Sequence, residues 1–160
     1  MSIPGFWQHI RQDARNVGIG TDIFGKANNI WYLFPQGYGP RNSYTTFADI
    51  KANLRSRDVI LLGGTLREQA VAPANIYDVT IIGAANKPRQ STSGGVPTAG
   101  GANWMPPSSG AVAATPLLEL ITQGWAIYNV NFTPHTSSAA IRTTRSATVD
   151  ATDASHFIIE

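Results

Sequence analysis

The sequence predicts an all-β solenoid of stacked parallel strands, with a short capping helix and an extended N-terminal arm. Three observations lead there. Mostly apolar strand patterns recur at 59–62 (Val-Ile-Leu-Leu) and 79–82 (Val-Thr-Ile-Ile), and glycine closes each of them, Gly63 and Gly64 after the first and Gly83 after the second. Ile60 and Ile81 lie 21 residues apart, about one turn of a repeat architecture whose units run ~20 residues or a little more. Charged residues make up 14% of the chain, against ~25% in an ordinary globular domain. Gly, Ser, Thr, Asn and Ala fill the difference, a mixture that suits loop-rich β structure with neutral polar faces.

Residues 1–28 read as an arm. Phe6, Trp7 and Ile10 share one helical face, with Gln8, Arg11, Gln12 and Arg15 opposite, and Gly18, Gly20 and Gly25 follow. Large apolar residues on a short polar segment need cover. Two kinds of cover fit: the protein's own domain, or a neighbouring subunit.

Residues 29–160 read as the solenoid. Ile30 to Phe34 form a strand by β-propensity, and the run from Pro35 to Pro40 is a turn. Thr46 followed by Asp49 approximates a capping box, and Phe47, Ile50 and Leu54 share a face of a helix predicted over 46–54. At about two turns that helix needs tertiary packing, and its apolar face suits a lid on the open end of a solenoid. The segment 84–115 is rich in Gly, Pro, Ser and Thr and reads as a long loop, with Trp104 and Met105 as an anchor in its middle. Strand pattern resumes at 117–121, 125–132, 139–142 and 156–159. Within 125–132, Ile127, Val130 and Phe132 are expected to face inward. The apolar strand before Glu160 leaves an uncapped end, so either a longer solenoid or a partner chain is expected to cover it.

These residues carry a resemblance. The run Ile30 to Phe34, then Thr46-Phe47-Ala48-Asp49-Ile50, then Val59 to Leu62 with Gly63-Gly64-Thr65-Leu66-Arg67-Glu68, then Val79 to Gly83, resembles the opening of right-handed parallel β-helix proteins. Trp125 to Phe132 is similar to a coil common in the same group. That group includes pectate lyases, polysaccharide depolymerases, phage tailspikes and virion appendages. The cysteine-free, Gly/Ser/Thr-rich chain is most similar to the β-helix proteins of tailed bacteriophages. The resemblance implies a right-handed β-helix, and it implies that Glu68 belongs to a structural turn.

The residues offer little chemistry. There is no cysteine, which excludes disulfides, thiolate nucleophiles and thiolate metal sites. His9, His135 and His156 are dispersed without metal-ligand spacing. Asp150 and Asp153 form the only close acidic pair in the later coils; a cation site or acid pair would use them, but turn capping is the expectation. Glu119 alternates with Leu118 and Leu120 and is expected to point outward. Lys51, Arg55 and Arg57 form the densest basic group on a chain of net charge +2, and a solvated helix end is expected rather than a phosphate-binding patch. Residues 1–25 lack the continuous apolar core of a signal peptide, and no stretch approaches the ~20 apolar residues of a membrane span.

The expectation is a structural protein of a bacteriophage virion, a capsid decoration or cement protein or a tail appendage, made in the host cytoplasm. It has no catalytic residues, no cofactor and no metal, and neither nucleic acid nor membrane as partner. The resemblance implies a homotrimer that binds other virion proteins, with the arm attaching to the particle. Phe6, Trp7, Ile10, Trp104 and Met105 are the expected subunit contacts. The alternative is a polysaccharide depolymerase or a glycan-binding, tailspike-like module acting on a host glycan.

Overall fold

The computed structural model describes residues 27–37, 39–84 and 102–143, and the backbone of 157–159. Phe6, Trp7 and Ile10, the first part of the 84–115 segment, and Asp150, Asp153 and Glu160 lie outside the described residues.

Among the described residues the regular structure is almost entirely short strands, in three parallel sheets. The first sheet holds β1 (Ile30–Leu33), β2 (Ser43–Tyr44), β3 (Val59–Leu62), β6 (Thr80–Gly83), β9 (Trp125–Tyr128) and β12 (Phe157–Ile159). Its strand order is β12-β9-β6-β3-β1-β2. The second holds β4 (Thr65–Arg67), β7 (Ala102–Met105) and β10 (Val130–Phe132), and the third β5 (Ala70–Val71), β8 (Leu118–Leu120) and β11 (Ile141–Thr143). From β3 to β12 the chain visits the sheets in strict rotation, first, second, third, then first again.

Register explains the repeat. Ile60 pairs with Ile81, Ile81 with Ile127 and Ile127 with Ile159, while Trp31 pairs with Ile60. The one helix among the described residues, α1 (Phe47–Lys51), packs on β1 and β2. A single core cluster takes Leu33, Ile60, Leu62 and Ile81 from the first sheet, Leu66 and Trp104 from the second, Leu118 and Leu120 from the third, and Phe47 and Ile50 from α1. Inward side chains alternate with outward ones along each strand, so Ile127 is buried and Val130 and Phe132 pack on the core, as expected.

The corners are built by single left-handed residues. Asn129 (φ 56°) splits the expected 125–132 strand into β9 and β10, which turns the chain from the first sheet to the second. Gly64 (φ 80°) stands just before β4 in the corresponding place. Arg57, Asp78 and Gly124 (φ 67°, 57° and 79°) precede β3, β6 and β9 in turn. Their backbones stack: the Arg57 amide donates to the Tyr77 carbonyl at 2.9 Å, and the Asp78 amide to the Gln123 carbonyl at 3.3 Å. At Gly83 a Cβ would stand 1.9 Å from the Asn129 carbonyl oxygen, so only glycine fits there.

Two expectations are corrected, beside one strand that the sequence did not announce: Thr65, Leu66 and Arg67 form β4 by pairing with Asn103, Trp104 and Met105. The 84–115 segment is not loop throughout, since 102–105 form β7 between β4 and β10. Its apolar signal is short and is flanked by Gly101, Pro106 and Pro107, which hid it. The helix ends at Lys51 rather than Leu54; Leu54 is nonetheless buried, carried inward by the turn that follows.

Candidate functional site

The described surface holds an open cleft of about 370 Å³ between α1 and β4, lined by Pro35, Gln36, Thr45, Thr46, Ala48 and Thr65 to Glu68. Thr46 caps α1: its hydroxyl accepts from the Asp49 amide at 3.2 Å, and it also contacts the Asp49 carboxylate. Glu68 reaches across from the end of β4. Its carboxylate accepts from the Phe47 amide at 2.7 Å and the Ala48 amide at 3.1 Å, two of the donors that a helix start leaves unsatisfied. Gln36 closes the other side, accepting from the Thr65 amide at 3.0 Å and donating to the Thr65 carbonyl at 2.8 Å.

Burial pushes the Glu68 carboxyl above the usual glutamate value. The two backbone donors and Lys51 pull the other way, and nearby Asp49 adds to the rise. The site can therefore hold a proton on Glu68 more readily than an exposed glutamate does. Glu68 is the one carboxylate in the cleft lining, whereas paired-carboxylate glycoside chemistry needs two across the scissile bond.

Asp58 is a second constellation and was not singled out in the sequence. It is fully buried and accepts from Trp31 Nε1 at 2.7 Å, the Arg55 amide at 2.9 Å and Asn29 Nδ2 at 3.0 Å. This is the arrangement a buried carboxylate requires. It ties the entry of β3 to β1. A lone Asp before an apolar strand carries no signal that would have revealed it.

On the second sheet, Thr65, Asn103 and Asn131 stand in register. Asn131 donates to Asn103 at 3.2 Å, and Asn103 reaches Thr65 at 3.4 Å. On the third, Glu119 points outward as expected and pairs with Arg142, its register partner, at 3.0 Å.

Trp104 and Met105 do not form an exposed contact. Both belong to β7, Trp104 with no exposed surface and Met105 with 6%. The Trp104 ring stacks on Phe132, with centroids 5.7 Å apart, lies 5.7 Å from Phe47, and donates from Nε1 to the Glu68 carbonyl at 2.8 Å. Lys51 closes the last turn of α1, Arg55 is exposed, and Arg57 occupies a left-handed corner. Among the described residues no group of three or more His, Asp or Glu could hold a metal ion, and no helix is long and apolar enough to cross a membrane. Comparison with protein-family models, curated proteins and solved structures returns no match.

Proposed function

We propose that this chain is a structural virion protein of a tailed bacteriophage, a capsid decoration or tail appendage built on a right-handed parallel β-helix. The observation that carries the reading is the rotation of the chain through three parallel sheets around one apolar core, the arrangement a stacked solenoid requires. The strand, capped-helix and Gly-Thr-x-x-Glu run at 30–68 supports it, because Glu68 ties α1 to β4 as a structural turn would. The polar groups that the chain invests in the fold support an assembly role over a catalytic one. Asp58 holds three donors, Glu68 holds two backbone amides, and Glu119 holds Arg142.

The protein is then a homotrimer with its solenoids side by side, binding other virion subunits. Light scattering on the eluting size-exclusion peak tests this: a trimer mass is expected, and a monomer at micromolar concentration overturns it. The cleft beside Glu68 favours a second reading, a glycan-binding or glycan-cleaving module, because threonine hydroxyls, an amide and a carboxyl line it. Polysaccharide cleavage that is lost in Glu68→Gln would establish that reading instead.

A further inference from the structure

Strand β4 stands at the end of its sheet, so one of its edges has no strand beside it. The Asn103 amide donates to the Gly64 carbonyl at 2.8 Å, and the Glu68 amide donates to the Met105 carbonyl at 3.0 Å. These bonds fix the alternation. Gly64, Leu66 and Glu68 turn their peptide groups toward β7, and Thr65 and Arg67 turn theirs to the open edge. That edge fronts the cleft between α1 and β4, which both residues line. Thr65 is already served. Its amide donates to Gln36 Oε1 at 3.0 Å and its carbonyl accepts from Gln36 Nε2 at 2.8 Å, so one planar carboxamide occupies both groups of one residue. Arg67 presents the same pair ~6.6 Å further along the edge. Among the described residues nothing bonds to that pair, to the Arg67 guanidinium or to the hydroxyl of Thr45, which also lines the cleft.

We infer that the Arg67 amide and carbonyl bind a vicinal diol of a neutral sugar, one hydroxyl accepting from the amide while its neighbour donates to the carbonyl. This rests on the glycan reading of the cleft and states what that glycan must present. A hydroxyl both donates and accepts. Two of them on adjacent ring carbons stand side by side as the oxygen and nitrogen of Gln36 do, so the precedent lies on the same strand edge. A carboxylate or phosphate offers acceptors alone and would set a negative oxygen against the Arg67 carbonyl. The Glu68 carboxylate, already holding the Phe47 and Ala48 amides, would repel it as well. An extended peptide needs a run of edge groups, and Gln36 closes the run at Thr65. The rest of the lining suits a sugar. The Thr45 hydroxyl and the Arg67 guanidinium are placed for further hydroxyls, and Pro35 and Ala48 for ring C–H groups. The cleft volume of about 370 Å³ falls at the lower end of small-ligand sites.

Amide hydrogen exchange on the protein alone checks the edge: Thr65 is expected to be protected and Arg67 to exchange fast, and a protected Arg67 amide overturns the inference. Binding is read by NMR from the backbone amides of the isotope-labelled chain, as the methyl glycosides of glucose, mannose and galactose are added to high millimolar concentration. A saturable shift of the Arg67 amide is expected with at least one of them. The 3-deoxy form of that sugar retains no vicinal diol and is expected to bind about tenfold more weakly or worse. Equal binding of the deoxy form overturns the inference and leaves the glycan reading standing; silence toward all three sugars overturns both. Arg67→Pro removes the amide donor but none of the bonds to β7, and is expected to abolish binding. Should that variant fail to fold, Ala48→Trp decides, because position 48 is exposed on α1 and a large ring there fills the cleft without altering β4. Its binding is expected to vanish while its unfolding curve stays unchanged. Binding that persists in either folded variant overturns the inference.

Discussion

Asp58 shows how one buried side chain can organise a corner. Three donors from Asn29, Trp31 and Arg55 converge on its carboxylate. Asp58→Ala leaves all three without their acceptor, and the loss is expected to be about 3 kcal/mol or more, read from the shift of a urea unfolding curve. Glu68 acts differently, because its burial raises the carboxyl pKa. The folded state therefore binds the proton more tightly than the unfolded chain. The contribution of Glu68 is full below the ordinary value of 4.5 and is lost as pH rises through the folded value. Glu68→Gln is expected to lower stability by removing one acceptor from the α1 amides, and to flatten this part of the stability–pH profile. Unfolding curves across that window check both, and an unchanged slope refutes the assignment.

Among the elements, α1 is a helix of five residues that depends on its surroundings. Five residues cannot hold a helix by propagation. Thr46 at the N-cap, Glu68 beneath the first amides, and Phe47 and Ile50 in the core hold it instead. Thr46→Ala is expected to cost about 1 kcal/mol, measured by thermal melting. The strands follow the same rule. Strand β7 has only four residues, Ala-Asn-Trp-Met, and owes its place to pairing on both edges, with Trp104 between Leu66 and Phe132. Asn103, between Thr65 and Asn131, gives the outer row of that sheet a polar chain of side chains rather than an apolar one.

At the scale of the whole molecule, one core cluster draws on all three sheets and on α1. A core shared in this way predicts cooperative loss. Tryptophan fluorescence, which reports the buried Trp104 and Trp125, and far-UV circular dichroism are expected to give coincident urea transitions. Separated transitions would mean that the sheets unfold independently. The trimer expected of the virion reading is tested at this scale too, since three such cores side by side make stability depend on protein concentration.

The sequence by itself determined β3 and β6, where apolar patterns end in glycine, and placed β1, β8, β9, β10 and β11 by their strand pattern; β2 carried no such signal. It also determined the core face of α1, where Phe47 and Ile50 are buried as their spacing demands, and the outward direction of Glu119. The tertiary structure decided the rest. Strands β4, β5 and β7 are two to four residues long, too short for a period to register, and exist through pairing alone. Trp104 read as an exposed anchor because Gly and Pro surround it, yet its neighbours in space, Phe47 and Phe132, lie far away in sequence. Asp58 and Glu68 owe their roles to donors from other turns of the chain, and those distances are set only when the sheets come together.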